Sequence, residues 1–253
     1  MMRSAKFWMV LLILALGLGC AQTSSQVKKK QTADAYYKLG VYYLENANYK
    51  QAISEFQKAL EFNSGEPNYH FSMGTAYSLD GRDSEAIDEL KIALRLDSKN
   101  SEAHNNLGYI YAKRQRWPEA IAEFNAALAN PEYARPHSAH LNLAQAYMQQ
   151  GNLDSAIEEY RRALESKPDY EVAHSGLGRA YLQKGELDLA IQELEKALKI
   201  NERQIGVHYD LGIAYLRKGD KQKAAAAFNK VIDLDPQSPL TGEAKKQLTA
   251  IEK

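Results

Sequence analysis

Between residues 33 and 238 the apolar positions form short groups at spacings of three and four, the period of a helix buried on one face, separated by polar turns. Aligned on a Leu-Gly-x-x-Tyr core, the groups are Leu39-Gly40-Tyr43, Met73-Gly74-Tyr77, Leu107-Gly108-Tyr111, Leu143-Ala144-Tyr147, Leu177-Gly178-Tyr181 and Leu211-Gly212-Tyr215. The glycine positions follow one another at steps of 34, 34, 36, 34 and 34 residues. Twelve residues past each stands an alanine: Ala52, Ala86, Ala120, Ala156, Ala190 and Ala224. Four further on is a bulky side chain (Phe56, Leu90, Phe124, Tyr160, Leu194, Phe228), and three beyond that Ala59, Ala93, Ala127, Ala163, Ala197 or Val231. Each period therefore predicts two helices. Small residues on both let the backbones approach closely, while the rings fill the space between successive pairs. Gly81, Gly151, Gly185 and Gly219 mark the turn between the two helices. Ala47 and Gln115 hold that place in the first and third periods, which predicts looser turns there. Beyond Pro239, residues 243–252 predict a short helix with Ala244, Leu248 and Ile251 on one side, a cap for the last apolar face.

This pattern resembles the tetratricopeptide repeat, with its 34-residue period. The resemblance implies an all-α fold: a right-handed α-α superhelix (solenoid) of six repeats with a C-terminal capping helix. The repeats span 33–66, 67–100, 101–136, 137–170, 171–204 and 205–238, and the cap is 239–253.

Charge and cysteine content narrow the function. With 32 basic and 32 acidic side chains there is no surplus of Lys and Arg for nucleic-acid phosphates. The single cysteine excludes a disulfide framework and a thiolate zinc site within one chain. That cysteine ends the N-terminal apolar run. Arg3 and Lys6 precede Phe7–Leu18, too short to span a bilayer and shaped like a secretory signal. The run closes on Gly17-Leu18-Gly19-Cys20-Ala21, which resembles the lipobox of bacterial lipoproteins. The resemblance implies cleavage before Cys20 and acylation of Cys20, so that 1–19 is a signal peptide. Ala21, in place of an aspartate that would favour inner-membrane retention, points to the outer membrane, with the repeats facing the periplasm. Residues 20–32, rich in Gln, Thr and Ser with Lys28-Lys29-Lys30, read as a flexible tether.

No chemistry-bearing motif stands out. There is no nucleophile elbow, phosphate loop or His-Glu-x-x-His pattern. Five of the six histidines (His70, His104, His140, His174, His208) recur four residues before the glycine position. Zinc needs nitrogens about 2 Å from one point, whereas equivalent positions of stacked repeats are parallel and roughly 8–10 Å apart. These histidines read as packing residues. His137, one turn before His140, has no third ligand beside it. Acidic pairs such as Glu158-Glu159 read as a solvated second-helix face. The sequence thus predicts no enzyme, no metal, no cofactor, no nucleic-acid partner and no small-molecule substrate.

What remains is a surface for a polypeptide. In related repeats the second, fifth, sixth, ninth, twelfth and thirteenth residues of the first helix line a concave groove. Here these are Tyr37, Val41, Leu44, Phe71 and Thr75, then Asn105, Asn106, Tyr109 and Lys113, then Asn142, Gln145 and Met148. Later repeats supply Arg179, Gln183, Tyr209, Asp210, Ile213 and Arg217. Tyr37 and Phe71 suit either an apolar strip of a partner or packing against the tether or their own neighbours. Tyr37 and Val41 replace the Lys and Asn of the carboxylate clamp of chaperone-binding relatives, which argues against a chaperone adaptor.

Lipobox, tether and six repeats together resemble the type IV pilus biogenesis lipoproteins, or pilotins. Closer marks are Asn105-Asn106-Leu107-Gly108, Arg116-Trp117-Pro118-Glu119-Ala120 and a two-residue expansion at Pro131-Glu132-Tyr133-Ala134-Arg135. The resemblance implies a protein that binds secretin subunits through its groove and helps them reach the outer membrane and multimerise. An envelope scaffold regulating peptidoglycan enzymes shares the same general features, and a metal enzyme built on the histidines is the alternative of another class.

Overall fold

A computed structural model describes residues 25–251, and every regular element among them is helical. The helices are α1 (25–45), α2 (Tyr49–Phe62), α3 (Pro67–Leu79), α4 (Asp83–Leu96), α5 (Ser101–Lys113) and α6 (Trp117–Leu128). They continue as α7 (Pro136–Gln149), α8 (Leu153–Ser166), α9 (Glu171–Lys184), α10 (Leu187–Ile200), α11 (Ile205–Lys218), α12 (Lys221–Leu234) and α13 (Pro239–Ile251). The order is that of six helix pairs and a cap. The expected signal peptide and Cys20 lie outside the described residues. The chain divides into two compact units, one ending at Ile110 and the other beginning at Tyr111, both within α5.

In the first unit α2 packs on α3 and α3 on α4. Ala52, Phe56 and Ala59 of α2 are buried, as are Ala86, Leu90 and Ala93 of α4, the positions the periodicity assigns to the second helices. In the second unit each helix from α6 to α13 packs on its successor, and α7, α9, α11 and α13 also touch in turn. A continuous core runs there from Leu141 to Ala244. Tyr133, in the two-residue expansion, turns inward among Ala127 and Ala139.

The motif tyrosine serves twice. Its carbonyl accepts the N–H five residues on: Asn48 to Tyr43 at 2.8 Å, Arg82 to Tyr77 at 2.8 Å and Arg116 to Tyr111 at 2.9 Å. Tyr147, Tyr181 and Tyr215 accept likewise from Asn152, Glu186 and Asp220 at 2.9–3.0 Å. This closes the first helix, and it requires a left-handed residue just before the donor. Gly81, Gly151, Gly185 and Gly219 take that conformation, but so do Ala47 (φ 57°) and Gln115 (φ 59°). The turns at Ala47 and Gln115 are therefore as tight as the others, contrary to the looser turns expected. The tyrosine hydroxyl joins successive repeats. Gln57 Nε2 donates to Tyr77 Oη at 3.3 Å, Arg161 Nη2 donates to Tyr181 Oη at 2.6 Å, and Tyr215 Oη donates to Glu195 at 2.6 Å. Burial and the Glu195 carboxylate push the Tyr215 phenol up to about 12.

Two boundaries differ from expectation. Residues 25–32 are the first turns of α1 rather than tether, with Lys28, Lys29 and Lys30 exposed and Thr32 Oγ1 donating to the Lys28 carbonyl. Gln and Lys are good helix formers, and a preformed α1 lets the helix propagate backwards. Pro239 opens α13 rather than interrupting the chain, because a first-turn residue needs no N–H partner. Ala244 is buried in the core of the second unit, and Leu240, Leu248 and Ile251 pack against it, so α13 is the cap.

Candidate functional site

In the first unit Tyr37 Oη and Ser72 Oγ are 3.2 Å apart, and Asn106 Nδ2 donates to Thr75 Oγ1 at 3.2 Å. These bonds set α1, α3 and α5 side by side. Val41, Leu44, Phe71 and Thr75 are half-buried on this surface, and Tyr109 is 55% exposed. Of the two roles left open for Tyr37, the structure gives it packing: its ring stacks on Tyr69 at 4.8 Å and lies 5.7 Å from Phe56. Asn105 departs from the expected groove set. It is buried, since the fifth position of this helix turns toward the core, and Asn106 takes the surface place.

In the second unit Asn142 and Met148 are half-buried, and Gln145 and Gln183 are exposed. The polar face expected here is largely paired internally. Arg179 Nε and Nη2 donate to Asp210 Oδ2 at 3.0 and 2.9 Å, and Arg217 Nη1 donates to the Leu182 carbonyl at 3.1 Å. Burial raises the Asp210 carboxyl, and the Arg179 guanidinium only partly offsets it. Tyr209 lies 5.7 Å from Phe228, and Ile213 packs on the core.

The histidines do more than pack. His70 Nδ1 is 2.6 Å from Glu89, His140 Nδ1 is 2.6 Å from Glu159, and His174 Nδ1 is 2.6 Å from Glu193. Each pair joins the two helices of one repeat. The second nitrogen meets a carbonyl six residues back: Ser64 for His70 at 3.1 Å, Pro168 for His174 at 2.9 Å and Glu202 for His208 at 2.8 Å. Burial opposes the charged form of His70, but the bonds to Glu89 and the Ser64 carbonyl outweigh it and raise the imidazole. Glu159 is thus buried and paired, not part of a solvated face; Glu158 beside it is exposed. Among the described residues no three His, Cys, Asp or Glu side chains gather closely enough to hold a metal ion. No helix among them is long and apolar enough to cross a membrane.

Tetratricopeptide repeat profiles match residues 33–65, 71–135, 132–171, 141–205 and 206–238. The chain belongs to the tetratricopeptide repeat family. Arrays of this family present extended surfaces on which peptides and proteins bind. Among solved structures, PilF of Pseudomonas aeruginosa is similar with a TM-score of 0.78 and 21% identity, over 87% of this chain and 99% of that one. PilW, described as a widely conserved type IV pilus biogenesis factor, has a TM-score of 0.75 and 23% identity, over 88% and 99%. YrrB, a repeat protein with an unusual peptide-binding site, has a TM-score of 0.65 and 24% identity, over 76% and 97%. At these identities the likeness is one of fold. No curated protein matches the sequence.

Proposed function

We propose that the chain is a non-catalytic, lipid-anchored scaffold of type IV pilus biogenesis that binds secretin subunits and promotes their multimerisation at the outer membrane. The observation that carries this reading is the likeness to PilF and PilW, which extends over nearly all of both of those chains and 87–88% of this one. The Leu18-Gly19-Cys20 sequence and the expansion at 131–135 support it from the sequence side. In this reading the acylated Cys20 supplies the destination, since two or more acyl chains hold a protein stably on a bilayer. The first-helix surface supplies the grip, with Val41, Leu44, Phe71 and Tyr109 as its apolar part. Half-buried apolar side chains flanked by an exposed ring suit burial of an apolar strip of a partner.

Replacing Cys20 by Ser should leave the repeats folded, remove the protein from the outer-membrane fraction and reduce secretin multimers. Normal outer-membrane recovery of the variant would contradict the anchor. Phe71→Asp should weaken secretin capture in a pull-down while helical circular dichroism is preserved. Unchanged capture would remove the first unit's surface from the account.

A further inference from the structure

The two ends of the array differ. At the C-terminal end α13 covers the last apolar face, with Ala244 in the core. At the N-terminal end no helix precedes α1 among the described residues. The first helices α3, α7, α9 and α11 each pack on the second helix of the repeat before, and α1 has no such predecessor. Leu39, which opens the Leu-Gly-x-x-Tyr core, is 40% exposed, whereas Met73, Leu107, Leu143, Leu177 and Leu211 at the same place are at most 8% exposed. A stacked array closes such an end with a polar outer face, but here the outer side of α1 is partly apolar. Val27, Gln31, Ala35 and Leu39 follow one another at steps of four, with Tyr42 three further on, so they share one side of the helix. All five are exposed, Tyr42 at 59% and Val27 at 55%. The strip is about 22 Å long. It lies apart from the side of α1 that carries Val41 and Leu44.

The charge on this side is positive. Lys28 and Lys38 lie within the strip, the first beside Val27 and the second one turn before Tyr42, and Lys29 and Lys30 flank it. All four are exposed, and none of the ion pairs among the described residues involves them. Asp34 is turned off this side, where it accepts from the Tyr69 hydroxyl. Glu45, at the far end, is the acid that stays on it. Aliphatic side chains, a tyrosine ring and lysines on one exposed side suit a helix lying in the interface of an anionic bilayer. The chain length sets where that bilayer is. Cys20 is five residues before the start of α1 at residue 25, a reach of at most about 18 Å. An acylated Cys20 therefore holds the start of α1 within that distance of the lipid head groups.

We infer that the outer side of α1 rests on an anionic phospholipid surface, with Val27, Leu39 and Tyr42 among the head groups and Lys28, Lys29, Lys30 and Lys38 on the phosphodiesters. The membrane then takes the place of the missing cap. This rests on the reading of Cys20 as the lipid anchor, and it gives the anchored chain an orientation. The strip faces the bilayer, and Val41 and Leu44, on another side of the same helix, are left for a partner. Taken alone the contact is weak and screened by salt, so the Cys20→Ser chain still leaves the outer-membrane fraction.

The test uses the chain from residue 20 on with Cys20→Ser, which keeps every described residue and carries no acyl group. It is mixed with vesicles of equal parts phosphatidylglycerol and phosphatidylcholine, and binding is read by co-sedimentation at low salt. The chain should bind these vesicles, fail to bind pure phosphatidylcholine, and come off as salt is raised. Lys28→Gln together with Lys38→Gln should lower the partition coefficient roughly 25-fold, about fivefold per lysine. Leu39→Gln should lower it about three- to tenfold, and neither change should move the urea midpoint. No binding, equal binding to neutral vesicles, or unchanged binding in either variant would overturn the membrane contact. A chain that is dimeric in solution and made monomeric by Leu39→Gln would overturn it too, by assigning the strip to a second copy. Vesicle binding by a chain whose Cys20 proves unmodified in cells would sink the anchor and leave this surface standing. An acylated Cys20 without vesicle binding would do the reverse.

Discussion

His174 Nδ1 lies 2.6 Å from the Glu193 carboxylate, and its Nε2 lies 2.9 Å from the Pro168 carbonyl. One side chain thereby ties the first helix of a repeat to its second helix and to the segment leading in from the repeat before. The pair is buried, and losing one member leaves the other unsatisfied. Glu193→Leu should lower stability by about 1–3 kcal/mol. Adding His174→Phe should restore part of that loss, because a buried polar group then no longer lacks a partner. Urea unfolding followed by circular dichroism checks both; a double variant less stable than the additive expectation would contradict the pairing.

The raised imidazole of His70 has a sign in the pH dependence. A group whose pKa is higher in the folded chain contributes stability that is complete below its unfolded value, about 6.5, and is lost as pH rises through the folded value. The stability difference between the parent chain and His70→Gln should therefore shrink as pH rises above about 6.5. NMR titration of the His70 ring should give a midpoint above 6.5, and a lower one would contradict the assignment.

Ala47 and Gln115 hold left-handed conformations that elsewhere in the chain fall to glycine. A side chain there costs roughly 1–2 kcal/mol, partly offset by the greater entropy glycine loses on folding. Ala47→Gly and Gln115→Gly should each raise stability by about 1 kcal/mol. Unchanged or lower urea midpoints would show that these turns relax in solution.

Two glycines on one helix should respond oppositely to the same change. A Cβ at Gly212 would stand 2.6 Å from the Phe228 ring, whereas one at Gly206 would meet nothing within 4 Å. Both lie in α11. Gly212→Ala should lose about 1–3 kcal/mol by overpacking, while Gly206→Ala should be neutral or gain up to about 1 kcal/mol from helix propensity. Similar losses at both sites would contradict the close approach of α11 to α12.

The periodicity carried most of the fold, because each buried position repeats the same demand: alanine and a bulky residue on the second helix, glycine or alanine facing them. The cap was legible from Ala244, Leu248 and Ile251 for the same reason. The histidine–glutamate pairs were not read, since the partners are 19 residues apart on different helices and no local pattern links them. A signal was present nonetheless. Glutamate recurs just before the bulky residue at Glu55, Glu89, Glu123, Glu159 and Glu193, beside histidines that recur with the same period. The end repeats break the pattern in an informative way. Tyr36 replaces histidine in the first, where Glu55 Oε2 is left without a partner, and Ala227 replaces glutamate in the last. Surface residues were harder to place. Whether Tyr37 stands free or packs depends on Tyr69 and Ser72 of the next repeat, and Asn105 differs from Asn106 only by the turn of the helix.

If the first-helix surface grips a secretin subunit, as proposed, crosslinks should form from that surface alone. Photo-crosslinking amino acids placed at positions 71 and 145 in whole cells read this out, with exposed Glu158 on a second helix as the control position. The secretin subunit should be captured from 71 and 145 but not from 158. Equal capture from all three positions, or adducts that contain no secretin, would contradict it.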